Sequence, residues 1–124
     1  MRPESLVITG GILTAAFAVF HLLFWKLFRW KTDLASLTSL NRATVQILNL
    51  CLTFVFVVFA YLSLVHSSEL LATELGHSLL FFVAVFWYLR ALEQVIFFGL
   101  RKPRSILFVM IFLFIGSLYA VPLL

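Results

Sequence analysis

The chain has 124 residues, of which 64% are hydrophobic and 11% are charged, and its formal net charge is +4. Soluble domains contain about 45–50% apolar and about 25% charged residues, so a water-soluble protein of this composition could not cover its own surface with polar groups. The composition therefore predicts an integral membrane protein. Basic residues flank the apolar segments and form no stripe on a polar face, which argues against nucleic acid as a partner.

Four apolar segments are long enough to cross a bilayer, because a helix needs about 20 mostly apolar residues to span about 30 Å of hydrocarbon. The segments are too long, and alternate too little, for barrel strands of about 10 residues. The predicted fold class is all-α, an integral membrane four-helix transmembrane bundle that forms a single domain over residues 1–124. The predicted spans cover residues 6–25, 45–65, 77–100 and 105–124.

A cleaved signal peptide is the alternative for residues 1–25. The apolar run is too long for one, and the basic cluster follows the run instead of preceding it. We therefore expect residues 6–25 to be a membrane span.

The connections between the spans are short. Three leucines at threefold spacing in residues 26–44 predict an interfacial helix, and Thr38 or Ser39 is expected to cap the second span. The proline of the "RKPR" turn, residues 101–104, is expected to help end the third span. The three leucines are Leu34, Leu37 and Leu40.

Basic residues concentrate in two of the three connections, and positive charge in short loops marks the cytoplasmic side. This distribution predicts that both termini lie on the outer side and that two basic loops lie in the cytoplasm. Chain length and tight loops favour a bacterial inner membrane, with an organelle membrane as the alternative. Seven of the nine basic residues of the chain lie in or beside these two connections: Lys26, Arg29, Lys31, Arg42, Arg101, Lys102 and Arg104.

The third span contains three polar residues whose position demands an explanation. Arg90 lies ten residues before Leu100, or about 15 Å along a helix, which places its Cα near mid-bilayer. A charge at that depth costs about 2.5–3.5 kcal/mol on insertion scales, so a partner inside the bundle is expected. Glu93 at i+3 is the nearest predicted partner, and Gln94 at i+4 shares its face.

Two other spans carry polar stripes at helical spacing. Gln46 and Asn49 lie on a stripe of the second span with Arg42 and Thr53, and His21 lies on a face of the first span. If the stripes converge with the third span, they form one polar pocket in the inner half of the bilayer. The structural alternative is a set of hydrogen bonds that only holds the helices together. The predicted ligand-binding residues are Arg90, Glu93, Gln94, Asn49, Gln46 and His21.

The stretch "HSSELLATELGH" predicts a second kind of site. His66 and Glu69, and Glu74 and His77, are i, i+3 pairs, and nitrogen and carboxylate ligands suit zinc or a related divalent metal. A solvated loop at the headgroups is the alternative for these four residues. Haem ligation by the two histidines is disfavoured because both lie at the edge of the bilayer. We expect no cofactor.

Helix packing can be predicted from small residues. Gly11 with Ala15, and Gly116 with Ala120, lie four residues apart, a spacing that lets membrane helices approach closely. A thin four-helix bundle with few polar groups favours a homo-oligomer or a larger membrane complex. Cys51 is the only cysteine, and within an apolar run it is expected to be a buried, inert thiol.

Two families of small four-span proteins are informative comparisons. Small multidrug exporters need a glutamate in the first span, and this chain has none there after Glu4. The segment "NRATVQILN", residues 41–49, resembles the Arg, Asn and Glu pattern of the glutathione-using membrane enzymes of the MAPEG type. It lacks the glutamate, and Gln46 stands where that pattern has asparagine. The likeness covers nine residues and assigns no family.

The sequence therefore predicts a small polytopic membrane protein without an assigned catalytic residue, and enzymatic activity is not favoured. The first functional expectation is a scaffold or accessory subunit, or a binder of membrane lipid or another amphiphile in the inner-leaflet pocket. In that case Arg90 would hold an anionic headgroup. The alternative is a small-molecule or proton-coupled transporter, or a small membrane enzyme, in which Glu93 and His21 handle protons.

Overall fold

A computed structural model describes residues 1–124. The chain is all-α and contains no strand, and four of its helices are long and apolar enough to cross a membrane. The chain is thus a four-helix bundle and a multi-pass membrane protein. The helices are α1 (Pro3–Leu22), α2 (Phe24–Leu27), α3 (Trp30–Asp33), α4 (Ser39–Val65), α5 (Ser67–Ala72), α6 (Glu74–Phe98) and α7 (Pro103–Ala120).

The helix ends follow local capping chemistry. The Thr38 hydroxyl accepts a hydrogen bond of 3.2 Å from the Asn41 amide at the start of α4, so Thr38 is the cap of the second span. Thr73 caps α6 in the same way, through the Gly76 amide at 2.9 Å. Pro103 is the first residue of α7, a position where its missing N–H costs nothing.

The first connection differs from the single interfacial helix expected there. It consists of the one-turn helices α2 and α3 and a 3₁₀ turn at Leu34–Ser36, whereas Leu40 belongs to α4. Arg29, between α2 and α3, has a φ of 53° in the left-handed region, so the backbone reverses there and no continuous helix forms. The leucine spacing predicted one continuous helix because the spacing of apolar residues contains no information about the left-handed backbone at Arg29.

The long helices form two antiparallel hairpins, α1 with α4 and α6 with α7, and the hairpins pack together chiefly through α1 and α7. Both chain termini and α5 lie at one end of the bundle, where the Ser67 hydroxyl donates a 3.2 Å hydrogen bond to Glu4. The two basic connections lie at the other end. We call these the terminal half and the basic half.

The terminal half is closely packed around a buried hydroxyl cluster of Thr14, Ser63 and Tyr119, contributed by α1, α4 and α7. The Ser63 and Tyr119 oxygens are 2.7 Å apart, and the Thr14 and Tyr119 oxygens are 3.5 Å apart. A Cβ on Gly10 would lie 2.7 Å from the Tyr119 ring, so only glycine permits this approach of α1 to α7.

The basic half is held apart by large aromatic side chains. Phe56 of α4 stacks on Trp87 of α6 with ring centroids 5.3 Å apart and planes 5° apart. Trp87 also stacks on Phe112 of α7 at 5.8 Å. Rings of this size separate the helix backbones, so this half has room for a cavity.

The small residues expected to allow close approach lie against helices of the same chain. A Cβ on Gly11 would lie 2.7 Å from Ser63 of α4, and one on Gly116 would lie 2.9 Å from Tyr88 of α6. These glycines therefore serve packing within the bundle. The prediction of a buried Cys51 was wrong, since its side chain is exposed on the surface of α4.

Candidate functional site

A partly open cavity of about 420 Å³ lies in the basic half, mainly between α1, α6 and α7, with Phe56 of α4 in its wall. Pockets for small molecules measure about 300–1,000 Å³, so it has the size of a ligand site. Eight phenylalanines and Trp87 line it, together with six polar residues and no aspartate or glutamate. The six are His21, Arg90, Gln94, Lys102, Arg104 and Ser105.

The aromatic wall of the cavity is a continuous stack. Beyond the Phe56, Trp87 and Phe112 rings, Phe108 stacks on Phe112 with centroids 5.8 Å apart, and Phe20 stacks on Phe108 at 5.9 Å. The indole N–H of Trp87 is buried and has no hydrogen-bond partner. Buried donors nearly always have an acceptor, so this wall includes a donor that the protein itself does not satisfy.

Arg90 is the half-buried cation of the cavity. Its Nη2 donates to Gln94 Oε1 at 3.0 Å, and its Cζ lies 4.7 Å from the centroid of the Phe112 ring. The cation–π contact offsets part of the cost of burial. No carboxylate lies within ion-pair distance, and of the five guanidinium N–H groups only one makes a hydrogen bond.

The direction of the Arg90 side chain determines its depth. Because it reaches Gln94, its guanidinium lies near the level of that residue, about 9 Å along the helix from Leu100 at about 1.5 Å per residue. The side chain therefore points from mid-span toward the basic end, as long cationic side chains do in membranes.

Gln94 is buried and fixed from both sides. Its Oε1 accepts from Arg90, and its Nε2 donates to the Ser105 hydroxyl of α7 at 3.1 Å. Ser105 in turn donates to the carbonyl oxygen of Gly99. This chain of hydrogen bonds connects Arg90 to the α6–α7 turn and restricts the guanidinium to the cavity side.

His21 is held on the opposite wall by Asn49. The Asn49 Nδ2 group donates to the His21 carbonyl oxygen at 3.0 Å, which leaves Oδ1 to accept from His21 Nδ1 at 2.8 Å. Nδ1 therefore carries the proton, and Nε2 is the acceptor of the neutral ring. Nε2 makes no hydrogen bond within the chain, and the ring lines the cavity.

Of the six predicted ligand-binding residues, the structure places His21, Arg90 and Gln94 in the cavity wall. Asn49 lies one contact behind it, bonded to His21. Gln46 is directed to Trp25, whose indole N–H it accepts at 2.9 Å, and does not line the cavity. The polar stripe of α4 thus faces the C-terminal end of α1, where Asn49 holds His21 in place. The cavity itself lies mainly between α1, α6 and α7.

Glu93 does not pair with Arg90, and the expectation of an i, i+3 ion pair was wrong. Glu93 is exposed on the surface of α6 and outside the cavity. Arg90 bends toward Gln94 at i+4 because that side chain is buried on the same face as the cavity, whereas Glu93 lies about 100° round the helix from Gln94.

Of the two pairs predicted as metal ligands, the structure brings together only His66 and Glu69, and it does not join the four residues in one cluster. His66 Nδ1 lies 2.8 Å from Glu69, while His77 Nε2 lies 2.7 Å from the carbonyl oxygen of Leu71. The chain contains no group of three or more histidine, cysteine, aspartate or glutamate side chains that could hold an ion. The metal prediction therefore has no support from the arrangement of these four residues.

Twelve of the fifteen wall residues were not predicted from the sequence: the eight phenylalanines, Trp87, Lys102, Arg104 and Ser105. The two cations were interpreted only as orientation signals, although they directly follow the span that contains Arg90. Ser105 was counted as the start of a span. The sequence did contain one indication of Ser105. This residue lies in the first turn of α7, eleven residues after the polar Gln94 of α6, with which it forms a hydrogen bond.

No family model, no curated protein and no solved structure matches this chain.

Proposed function

We propose that this membrane protein binds an anionic amphiphile in the aromatic cavity of its basic half, with the anionic group at Arg90. The observation that carries the proposal is the unpaired cation. Arg90 lines a cavity of ligand size that has no acidic side chain, and it keeps four N–H groups free. An anion at this point would make charge-assisted hydrogen bonds away from bulk water, where they are strong.

The remainder of the wall supports an amphiphile over a small polar ion. Nine of the fifteen lining residues are hydrophobic, and the aromatic stack provides a long apolar surface for a hydrocarbon chain. The polar residues provide oriented groups for the head. Arg90 offers donors, and His21 Nε2 offers an acceptor.

The location of the site follows from the charge asymmetry. We propose that the basic half faces the cytoplasm of a bacterial inner membrane, because the basic connections are at that end. The cavity then lies in the inner leaflet, where anionic lipid is available. Membrane lipid is thus the proposed partner, and a homo-oligomer or larger complex stays a prediction.

A proton-coupled transporter is the second function that the sequence raised. Its proposed proton carriers, Glu93 and His21, do not share the cavity, because Glu93 is exposed on the surface of α6. His21 alone keeps a free ring nitrogen there. We therefore favour binding without catalysis or proton coupling, by a non-enzymatic protein that holds its ligand or presents it within a larger assembly.

The test compares lipids that share one oleoyl chain. Purified protein in mild detergent is incubated with monoolein, which is neutral, or with oleate, which is anionic, and bound lipid is measured by native mass spectrometry. We expect oleate to bind at least about tenfold more tightly than monoolein, which corresponds to about 1.4 kcal/mol. Replacement of Arg90 by glutamine should abolish that difference.

The matched control is Arg101→Gln. Arg101 is a basic residue near the same end of α6, but it is exposed and does not line the cavity. It should leave the preference for oleate unchanged. Equal binding of oleate and monoolein to the wild type, or an equal effect of the two substitutions, would contradict the proposal.

A further inference from the structure

The cavity contains more positive charge than one carboxylate requires. Arg90, Lys102 and Arg104 all line it, and no acidic residue does. All three cations of the α6–α7 turn are exposed, and of these only Arg101 lies outside the cavity. The turn therefore directs two of its three cations to the cavity wall, which a signal for membrane orientation alone does not require.

The three cations belong to one connected site. Arg90 bonds to Gln94 at 3.0 Å, and Gln94 bonds to Ser105 at 3.1 Å. Ser105 is adjacent to Arg104 in the first turn of α7. A single amide side chain thus bridges the guanidinium of α6 and the start of α7, so a head group at Arg90 is close to the α7 N-terminus.

The start of α7 adds to the attraction for an anion. No side chain caps this helix of 18 residues, so the positive end of its dipole faces the cavity. Pro103 has no N–H, and the Ser105 and Ile106 amides donate to the Lys102 carbonyl oxygen at 3.0 and 3.3 Å, so the Arg104 amide is the free backbone donor of this turn. Lys102 precedes Pro103 at this end, and Arg104 follows it. A helix end that is both uncapped and flanked by cavity-lining cations matches an anion with several acceptor oxygens.

We infer that the amphiphile carries a phosphomonoester head group, a refinement that rests on the proposed function. A phosphomonoester carries about −1.5 to −2 charges near pH 7 and three terminal acceptor oxygens. A carboxylate or a phosphodiester carries one charge, so only a phosphomonoester can neutralise the half-buried Arg90 together with one of the exposed cations at the cavity mouth. Arg90 takes the deeper side of the phosphate, and Lys102, Arg104 and the α7 N-terminus take the side toward the water.

The experiment adds two lipids with the same oleoyl chain to the comparison of oleate and monoolein. Lysophosphatidic acid has a phosphomonoester, and lysophosphatidylglycerol has a phosphodiester. We expect lysophosphatidic acid to bind at least about tenfold more tightly than either lysophosphatidylglycerol or oleate, because each added hydrogen bond to a charged group has that order of effect. Similar affinities for the three anionic lipids would overturn the phosphomonoester while the preference over monoolein still supported the proposed function.

A double substitution assigns the preference to the α6–α7 turn. The Lys102→Gln, Arg104→Gln variant should bind oleate within about threefold of the wild type and lose most of the added affinity for lysophosphatidic acid. Its control is Lys31→Gln with Arg101→Gln, which removes two exposed cations from the same half of the molecule. An equal loss of lysophosphatidic acid affinity in the control would show general charge attraction and overturn the assignment.

A free phosphate is the other source of the same head chemistry. Glycerol 3-phosphate has the phosphomonoester without the hydrocarbon, and it should not displace lysophosphatidic acid at a hundredfold excess, because the aromatic wall needs the chain. Displacement at that excess would overturn the amphiphile and identify a site for water-soluble phosphate esters.

Discussion

The two halves of the bundle solve the packing of membrane helices in opposite ways. In the terminal half, glycine and hydroxyl residues bring α1, α4 and α7 into close contact around the buried Tyr119 hydroxyl. In the basic half, stacked aromatic rings keep the helices apart and leave a cavity of about 420 Å³. The terminal half is thus closely packed, and the basic half contains a cavity of the size of a ligand site.

The two halves also differ in how they treat polar groups. The hydroxyls of Thr14, Ser63 and Tyr119 are hydrogen-bonded within the chain. In the basic half, Arg90 and Trp87 retain unused donors. Hydrocarbon offers no hydrogen-bond partner for unused donors, so we expect the donors of the half-buried Arg90 to be satisfied by another molecule.

Two arginines sharpen this contrast. Arg42 donates to three backbone oxygens of the first connection, those of Leu34, Ala35 and Leu37, at 3.0, 3.2 and 3.0 Å. Its role is to hold that connection against α4. Arg90 donates to one side-chain oxygen, that of Gln94, and to no backbone oxygen. The satisfied arginine is structural, whereas the unsatisfied one is the candidate for ligand binding.

The largest expected effect breaks the support in the terminal half. A Cβ on Gly76 would lie 2.3 Å from the backbone oxygen of Leu70, so Gly76→Ala must displace α5 from α6. We expect a loss of at least about 3 kcal/mol in the free energy of unfolding, at the upper end of the usual cost of overpacking. Denaturant unfolding in detergent measures it. Ser78→Ala, at an exposed position of α6, is the control and should change stability by less than about 0.5 kcal/mol.

The next effect concerns the α6–α7 turn of the basic half. Gly99 has φ 75° and ψ −173°, a region that essentially only glycine adopts, and an added Cβ would meet no atom within 4 Å. Gly99→Ala should therefore cost about 1–3 kcal/mol through backbone strain alone. Because Gly99 accepts from Ser105, affinity for lysophosphatidic acid should fall as well. Unchanged stability would show that the turn relaxes without loss.

Tyr119→Phe tests the hydroxyl cluster. It removes one buried oxygen while Thr14 and Ser63 keep their bonds to backbone oxygens. We expect a loss of about 1 kcal/mol or less in unfolding free energy, the usual size for a hydrogen bond between membrane helices. Lipid binding in the basic half should not change. A change in binding of tenfold or more would show that the two halves are not independent.

Arg90→Leu tests whether the cavity cation of the basic half serves ligand binding and not stability. Arg90 has no ion pair to lose, but its replacement leaves the buried Gln94 Oε1 without a donor, so the ligand-free protein should lose only about 1 kcal/mol of unfolding free energy. Stabilisation by added oleate should disappear. A destabilisation of about 3 kcal/mol or more would instead identify Arg90 as a structural residue.

The smallest effect is expected for Glu93→Gln. Glu93 is exposed and makes no ion pair with Arg90, so stability should change by less than about 0.5 kcal/mol. Oleate affinity should stay within about twofold, as measured by native mass spectrometry. A pH-dependent flux in liposomes that Glu93→Gln abolished would restore the transporter hypothesis.

Helices were more predictable from the sequence than their contacts. Long apolar runs predicted four spans, and the cap at Thr38 followed from residue type. Half of the predicted ligand-binding residues line the cavity, since helical spacing correctly put Arg90 and Gln94 on one face. Glu93 was wrongly predicted to be the partner of Arg90, because residues at i+3 and i+4 are equally near on a helix. Only the packing of the neighbouring helices decides which of the two faces the cavity.

The amino-acid sequence by itself determined that this protein is all-α, that four helices can cross a membrane, and that its basic residues gather at one end. Length, apolarity and charge are local properties, so no partner is needed to read them. Only the tertiary structure decided that the cavity lies mainly between α1, α6 and α7 and that no acid lies within ion-pair distance of Arg90. In helices that are apolar on all sides, lipid-facing and protein-facing surfaces have the same composition, so hydrophobicity does not mark the interface and packing must select it.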